Sequence, residues 1–146
     1  MDYEKAFSRL SETLTGFSLR ELQSTGLSEE LYAFLEKTLG KQKLETYLRA
    51  MASEGEADAE LNCSPEELEK FKQQLTTLWY TGNWYPVFPP PAPEEMKASE
   101  FPMRVSIHSY QEALVWRAMG KNPSGAKWPG WGSWAMEPSD PAAQLF

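Results

Sequence analysis

The chain has 146 residues, of which 41% are apolar, and a formal net charge of −7. This length suits a single folded domain with a modest core. The acidic balance disfavours nucleic acid and acidic membrane surfaces as partners, because both carry negative charge themselves. No apolar run approaches the roughly 20 residues of a membrane-spanning helix, so we expect no direct membrane insertion.

The first half of the chain has the apolar spacing of amphipathic helices. Residues 2–14 carry apolar side chains at intervals of four, three and four, which predicts a first helix that ends at Gly16. A second predicted helix begins at an N-cap, Ser28, and closes at Gly40. A third covers residues 44–51, whose apolar side chains share one face.

The clearest helix start in the sequence follows an acidic stretch. Residues 64–67 supply a capping serine, a proline in the first turn and a glutamate at the reciprocal capping position, which predicts a fourth helix ending at Gly82. Phe71 lies on its apolar face. Residues 53–62 alternate acidic and small side chains, but no glycine or terminal glutamate stands at the fixed positions that a calcium-binding loop requires, so a solvated loop is favoured.

The composition changes near residue 80. All six tryptophans, and all but one of the eleven prolines, lie from Trp79 onward. The proline-rich stretch 86–102 favours polyproline II or extended backbone. A short extended piece, residues 104–107, leads to a second capping box at Ser109, which opens a fifth helix that ends at Gly120.

These patterns predict an all-α fold. We expect a small helical domain of about five helices with a long, irregular Pro/Gly/Trp-rich C-terminal arm. The whole chain, residues 1–146, forms a single domain in this interpretation. Within it, residues 1–85 form a helical core, 86–108 a proline-rich connector, 109–120 a helix and 121–146 a docking tail.

The sequence contains no recognisable catalytic, cofactor-binding or metal-binding constellation. His108 is the only histidine and lies beside a predicted helix cap, where a structural role is favoured over a catalytic one. The single cysteine, Cys63, excludes an internal disulfide and a zinc site of the cysteine type. Its place next to an N-cap makes it a candidate for a lowered pKa, although an inert loop thiol is favoured. No glycine motif for phosphate is present.

The aromatic density between residues 79 and 134 is the most unusual feature of the sequence. Three tryptophans recur at every third position of the tail among prolines and glycines, in chain that cannot form a compact core by itself. Such rings need a surface to pack against, which can belong to the same protein, to a partner protein or to a sugar. Tryptophan is enriched at the hot spots of protein interfaces. Trp79 and Trp116 are also expected to help complete the core. The candidate partner-binding residues are Trp79, Tyr80, Trp84, Tyr110, Trp128, Trp131 and Trp134.

Four segments, in this order, resemble the small (gamma) subunits of bacterial FAD-dependent sugar and polyol dehydrogenase complexes of the gluconate, sorbitol, fructose and glucose dehydrogenase type. The ordered set is more specific than any one motif. The segments are FSRLSETLTG at 7–16, LWYTG at 78–82, YQEALVW at 110–116, and the stretch 122–138 with its Pro, Gly, Trp and Glu-Pro.

The resemblance implies a non-catalytic accessory subunit that binds and stabilises a flavoprotein catalytic subunit of the glucose–methanol–choline type. That partner would hold FAD and oxidise a sugar, glycoside or polyol hydroxyl by hydride transfer, with a cytochrome c subunit or another acceptor taking the electrons. This chain would hold no cofactor. The resemblance also implies the periplasm and a role in the folding or export of the partner. The N-terminus carries no twin-arginine or other export signal, which leaves the cytoplasm open.

Two other functions remain open from the residues alone. One is a free-standing carbohydrate-binding module that uses exposed tryptophans, because their faces also stack on sugars. The other is a hydrolase or lyase that uses His108 with a nearby carboxylate, which requires His108 to lie in a pocket.

Overall fold

A computed structural model describes residues 2–52 and 63–123, and these residues confirm the predicted all-α fold. Two short strands pair antiparallel, with Asn83 opposite Arg104 and Trp84 opposite Met103. None of the helices in these two ranges has both the length and the apolar character needed to cross a membrane. The elements are α1 (Tyr3–Thr15), α2 (Leu19–Ser24), α3 (Ser28–Leu39), α4 (Lys41–Ala52), α5 (Pro65–Thr81), β1 (Asn83–Trp84), β2 (Met103–Arg104), α6 (Ile107–Gln111) and α7 (Leu114–Met119).

Two predicted helix ends are confirmed at glycines with left-handed backbone. Gly16 ends α1 at φ 77°, and its N–H bonds to the carbonyl of Glu12. Gly82 ends α5 at φ 75°, and its N–H bonds to the carbonyl of Leu78. Glycine is suited to these positions because it has no Cβ to clash in the left-handed region.

The helix starts agree with the sequence at α5 and differ from it at α3. The Ser64 hydroxyl accepts a hydrogen bond from the backbone N–H of Glu67 at 3.2 Å, with Pro65 at the first helical position, as predicted. The predicted reciprocal bond is not formed, and the Glu67 carboxylate lies 3.8 Å from the Cys63 thiol instead. Ser28 was predicted to be an N-cap, and this is wrong. It is the first residue of α3, which follows Leu27 without a side-chain cap.

The cap on α5 leads to a stability prediction. Ser64→Ala is expected to lower the free energy of unfolding by about 1 kcal/mol, because one N–H in the first turn loses its acceptor. The measurement is urea unfolding followed by circular dichroism. Ser99→Ala, in an exposed 3₁₀ turn, is the matched control and should change stability by less than about 0.5 kcal/mol. Equal effects of the two substitutions would show that the Ser64 cap does not hold in solution.

The hydrophobic core surrounds α5. This helix contacts α1, α4, α6, α7 and β1. Phe71 is 1% exposed, which confirms the predicted inward face of this helix. The core continues through α3 and α4, so the first four long helices bury their apolar faces against one another. Its buried members are Phe7, Leu22, Leu27, Leu31, Leu35, Leu44, Tyr47, Leu48, Phe71, Leu75, Leu78, Trp79, Trp84 and Leu114.

The proline-rich connector differs from the predicted polyproline II or extended chain. It contains bends and two 3₁₀ turns, Pro93–Glu95 and Ala98–Glu100, and the Phe88–Pro89 peptide bond is cis. Its beginning is held on α5 by the buried side chain of Gln74, whose amide donates to the carbonyls of Tyr85 and Pro86. The connector is therefore packed on the helical core where it begins.

The predicted fifth helix, residues 109–120, forms two shorter helices. The cap is Ser106 and not Ser109: the Ser106 hydroxyl accepts from the N–H of Ser109 at 3.0 Å, so the helix begins earlier, at Ile107. Ala113 then has φ −54° and ψ 134°, which is not helical and separates α6 from α7. The predicted end at Gly120 is confirmed.

Candidate functional site

Two of the predicted partner-binding rings belong to the chain's own core. Trp79 is fully buried: its indole N–H donates to the Ser11 hydroxyl at 3.0 Å, and its ring stacks on Phe7. Trp84 is 3% exposed and packs edge to face against Phe34. The end of α5 and β1 cross the core, so these rings offer no surface to a partner. The prediction that they bind one is wrong.

Two other candidates, Tyr80 and Tyr110, are half-buried. The Tyr80 hydroxyl donates to the carbonyl of Thr15 at 2.7 Å. The Tyr110 ring has the Arg104 guanidinium 4.9 Å from its centroid, and the ring of Trp116 meets it edge to face. Both tyrosines keep part of their surface accessible, so their role in partner binding stays a prediction.

Trp116 is half-buried and not fully enclosed. Its indole N–H donates to the carbonyl of Tyr110 at 2.9 Å, which joins α7 to α6. The remaining candidates, Trp128, Trp131 and Trp134, lie outside the described residues. So do the acidic stretch 53–62 and the predicted docking tail from residue 124 onward.

The exposed large apolar side chains of the described residues all lie in the C-terminal half. Ile107 is 71% exposed, Met119 54%, Phe101 47% and Met103 42%. We call this set the 101–119 surface. β2 and α6 contact each other, so Met103 and Ile107 belong to neighbouring elements. Single exposed apolar residues are ordinary, whereas exposed apolar side chains that lie on neighbouring elements are the kind of surface that binds a partner.

His108 forms a hydrogen bond with Glu30, which joins α6 to α3. Its Nδ1 lies 3.0 Å from Oε2 of Glu30, and the His108 side chain is 46% exposed. Burial acts to raise the pKa of Glu30, but hydrogen bonds from Ser106 and His108 outweigh it, so this pKa lies below its ordinary value. The histidine–carboxylate pair lies at the surface, and His108 lines neither the cavity between α1 and α3 nor the smaller one beside α5.

The thiol of Cys63 lacks the features of a reactive cysteine. Partial burial and the nearby carboxylate of Glu67 raise the pKa of the thiol, which disfavours the nucleophilic thiolate. The lowered pKa that its place beside an N-cap suggested is therefore wrong. Within residues 2–52 and 63–123, no group of three or more His, Cys, Asp or Glu side chains is arranged to hold a metal ion.

A cavity of about 800 Å³ lies between α1 and α3. Phe7 and Tyr32 contribute aromatic rings to it, and carboxylates of both helices surround them. No function was predicted for these residues from the sequence, since their apolar members read as ordinary core positions. The cavity, which we call the α1–α3 groove, is open to solvent and is lined by charged side chains of both signs.

The fold and these surfaces define a small all-α domain whose exposed large apolar side chains, within residues 2–52 and 63–123, lie in the C-terminal half. Comparison with family models, with curated proteins and with solved structures finds no match to the chain. The relation to dehydrogenase gamma subunits stays a prediction that rests on the four ordered motifs.

Proposed function

We propose that the chain is a non-catalytic accessory subunit that binds and stabilises an FAD-dependent dehydrogenase of the glucose–methanol–choline type. The observation that carries the proposal is the 101–119 surface, a set of large apolar side chains left uncovered by a domain that otherwise encloses its core. The four ordered sequence motifs supply the identity of the partner, which the surface alone does not.

The position of this surface in the chain supports a docking role. It ends at Met119, and the chain then runs through Pro123 into the segment that carries Trp128, Trp131 and Trp134. The exposed apolar side chains and these three tryptophans are therefore close in sequence. Each buried aromatic anchor adds much apolar contact, and a few such anchors usually dominate the binding energy of an interface.

In this proposal the chemistry belongs to the partner. The flavoprotein holds FAD and removes a hydride from a sugar, glycoside or polyol, and a cytochrome c subunit or another acceptor takes the electrons. The present chain stabilises the flavoprotein's fold and aids its folding or export. The complex would act in the periplasm if the family resemblance holds, and in the cytoplasm otherwise.

The test is co-expression of the chain with a candidate flavoprotein, followed by purification through a tag on this chain. We expect a stoichiometric yellow complex with sugar-dependent dye reduction, whereas the chain alone is colourless. Ile107→Asp and Trp131→Ala should each raise the Kd of the complex by about one to three decades, as expected for the loss of an interface anchor worth ~2–4 kcal/mol.

Lys70→Asp is the matched control, because it places the same carboxylate at an exposed helical position on α5. It should leave the Kd within about twofold of the unsubstituted chain. If the Ile107→Asp and Trp131→Ala chains fold and bind with unchanged affinity, the docking site lies elsewhere on the chain. Flavin bound to the isolated chain would contradict the accessory role, and sugar bound in the absence of a flavoprotein would favour a carbohydrate-binding module.

A further inference from the structure

The floor of the α1–α3 groove is the half-buried ring of Tyr32, which rests on Phe7, a core residue that is only 1% exposed. Phe7 of α1 and Tyr32 of α3 meet edge to face, with ring centroids 5.5 Å apart. Ala33 also lines the groove and is exposed, and its small side chain leaves the groove open to solvent at that point. A volume of about 800 Å³ is within the range of sites that hold ligands or several side chains. The groove therefore offers both space and apolar surface.

The rim of the groove is acidic. It carries four carboxylates and two lysines, which leaves a net side-chain charge of −2. Asp2 is paired with Lys5 at 3.6 Å. The other three carboxylates have no ion-pair partner among the residues that the structure describes. These three are Glu4, Glu29 and Glu36.

Nearby carboxylates make the electrostatic potential negative at the Tyr32 ring, on the floor of the groove. The pKa of the Tyr32 hydroxyl is raised by its burial and further by the negative charges of Glu36, Glu45 and Glu4. The N-termini of α1 and α3 also face the groove, and each carries about half a positive charge. Together they offset about one unit of charge, so the groove stays negative and favours a cation.

The groove is long enough for a peptide. Its lining on α3 runs from Ser28 to Lys37, which corresponds to about 14 Å at 1.5 Å per residue. About four residues of extended chain span that distance. A single small cation would occupy only part of it and would leave the aromatic floor uncovered.

We propose that the α1–α3 groove binds a short basic segment of a partner protein, in which an apolar side chain covers the half-buried ring of Tyr32 while lysine or arginine side chains reach the carboxylates of the rim. Charge complementarity and the length of the groove select this occupant over an acidic or a small one. The inference is independent of the accessory role, since α1 and α3 contribute nothing to the 101–119 surface.

The experiment uses the full chain and three fluorescent probes: an eight-residue peptide of alternating lysine and leucine, its glutamate–leucine counterpart, and a labelled diamine. Binding is followed by fluorescence anisotropy at low and high salt. We expect the basic peptide to bind at least about tenfold more tightly than either of the others, with a Kd that rises with salt because exposed charge pairs are screened.

Variants of the groove locate the site. Ala33→Arg fills the groove and adds a positive charge at an exposed helical position, so it should raise the Kd of the basic peptide about tenfold or more. The double substitution Glu4→Gln, Glu36→Gln keeps the shape of the rim and should raise the Kd about threefold to tenfold. If the Ala33→Arg chain does not fold, the double variant tests by itself whether the groove binds the basic peptide.

The control is Glu94→Gln, which removes one carboxylate from an exposed 3₁₀ turn outside the groove and should leave the Kd within about twofold. Equal binding of the acidic and basic peptides would overturn the proposal. So would a diamine that binds as tightly as the peptide. If the groove variants and Glu94→Gln weaken binding of the basic peptide equally, the peptide responds only to the overall charge of the chain. That result also overturns the proposal.

Discussion

Trp79→Ala is expected to remove a large part of the stability of the domain. The side chain is fully buried, and its loss should cost about 3–5 kcal/mol through lost burial and the cavity left behind. The buried hydroxyl of Ser11 also loses its hydrogen-bond donor, which adds about 1 kcal/mol. Domains of this kind are stable by roughly 5–15 kcal/mol, so the variant should unfold at much lower urea concentration.

Two milder substitutions separate the ring from its hydrogen bond. Trp79→Phe keeps an aromatic ring and removes the N–H, while Ser11→Ala removes the acceptor. A double-mutant cycle in urea should give a coupling of about 0.5–1.5 kcal/mol between the two sites. If Trp79→Ala costs less than about 1 kcal/mol, the ring is not buried in solution and is again a candidate for partner binding.

Gly82→Ala is expected to cost about 2–5 kcal/mol. Gly82 has φ 75°, where an alanine loses about 1–2 kcal/mol relative to glycine. A Cβ at this position would also lie 2.6 Å from the carbonyl oxygen and 2.7 Å from the carbonyl carbon of Ser109. These are backbone atoms of α6, so the helix must move, and overlap of this kind costs a further 1–3 kcal/mol or so.

Gly16→Ala is the matched control for Gly82→Ala. Gly16 ends α1 at φ 77°, and no atom lies within 4 Å of the place where its Cβ would be. This variant should lose only the roughly 1–2 kcal/mol of the left-handed backbone. Thermal or urea unfolding compares the two directly. Equal losses would show that Gly82 does not approach Ser109, and that α6 is not held against the end of α5.

Much of the N-terminal fold could be predicted because its signals are local. Apolar spacing gave the positions of four of the helices, and the left-handed glycines Gly16 and Gly82 marked two of their ends. The short helix α2 was missed. It is only six residues long and too short for a periodic signal, although Ser18 and Glu21 form the capping box that announces it.

The C-terminal half depends on contacts that local sequence does not carry. The cap at Ser106 uses a serine, Ser109, at the reciprocal position, and the hydroxyl of Ser109 also donates to the carbonyl of Gly82, the residue that caps the end of α5. The break at Ala113 has no proline or glycine to mark it. Both features follow from packing against α5, so only the three-dimensional structure reveals them.

The candidate site, like the C-terminal half, depends on contacts that the local sequence does not reveal. An aromatic cluster in the sequence does not indicate which rings face inward, and Trp79 and Trp84 prove to be core. The 101–119 surface was not predicted, because exposed Phe101, Met103 and Ile107 look like ordinary apolar residues until the core is seen to close without them. The α1–α3 groove requires two helices from different parts of the chain to meet, which spacing within either one cannot show.

Two neighbouring residues of α5 determine how α1 lies along it. Trp79 donates to Ser11 and Tyr80 to the carbonyl of Thr15, one helical turn further along α1. Leucine and phenylalanine faces tolerate several alignments, because apolar contact has little directionality. Sliding α1 by one turn, about 5.4 Å, would keep much of that contact but leave the indole N–H and the Ser11 hydroxyl buried without each other. Apolar packing thus makes the pair of helices stable, and the two hydrogen bonds make their alignment unique.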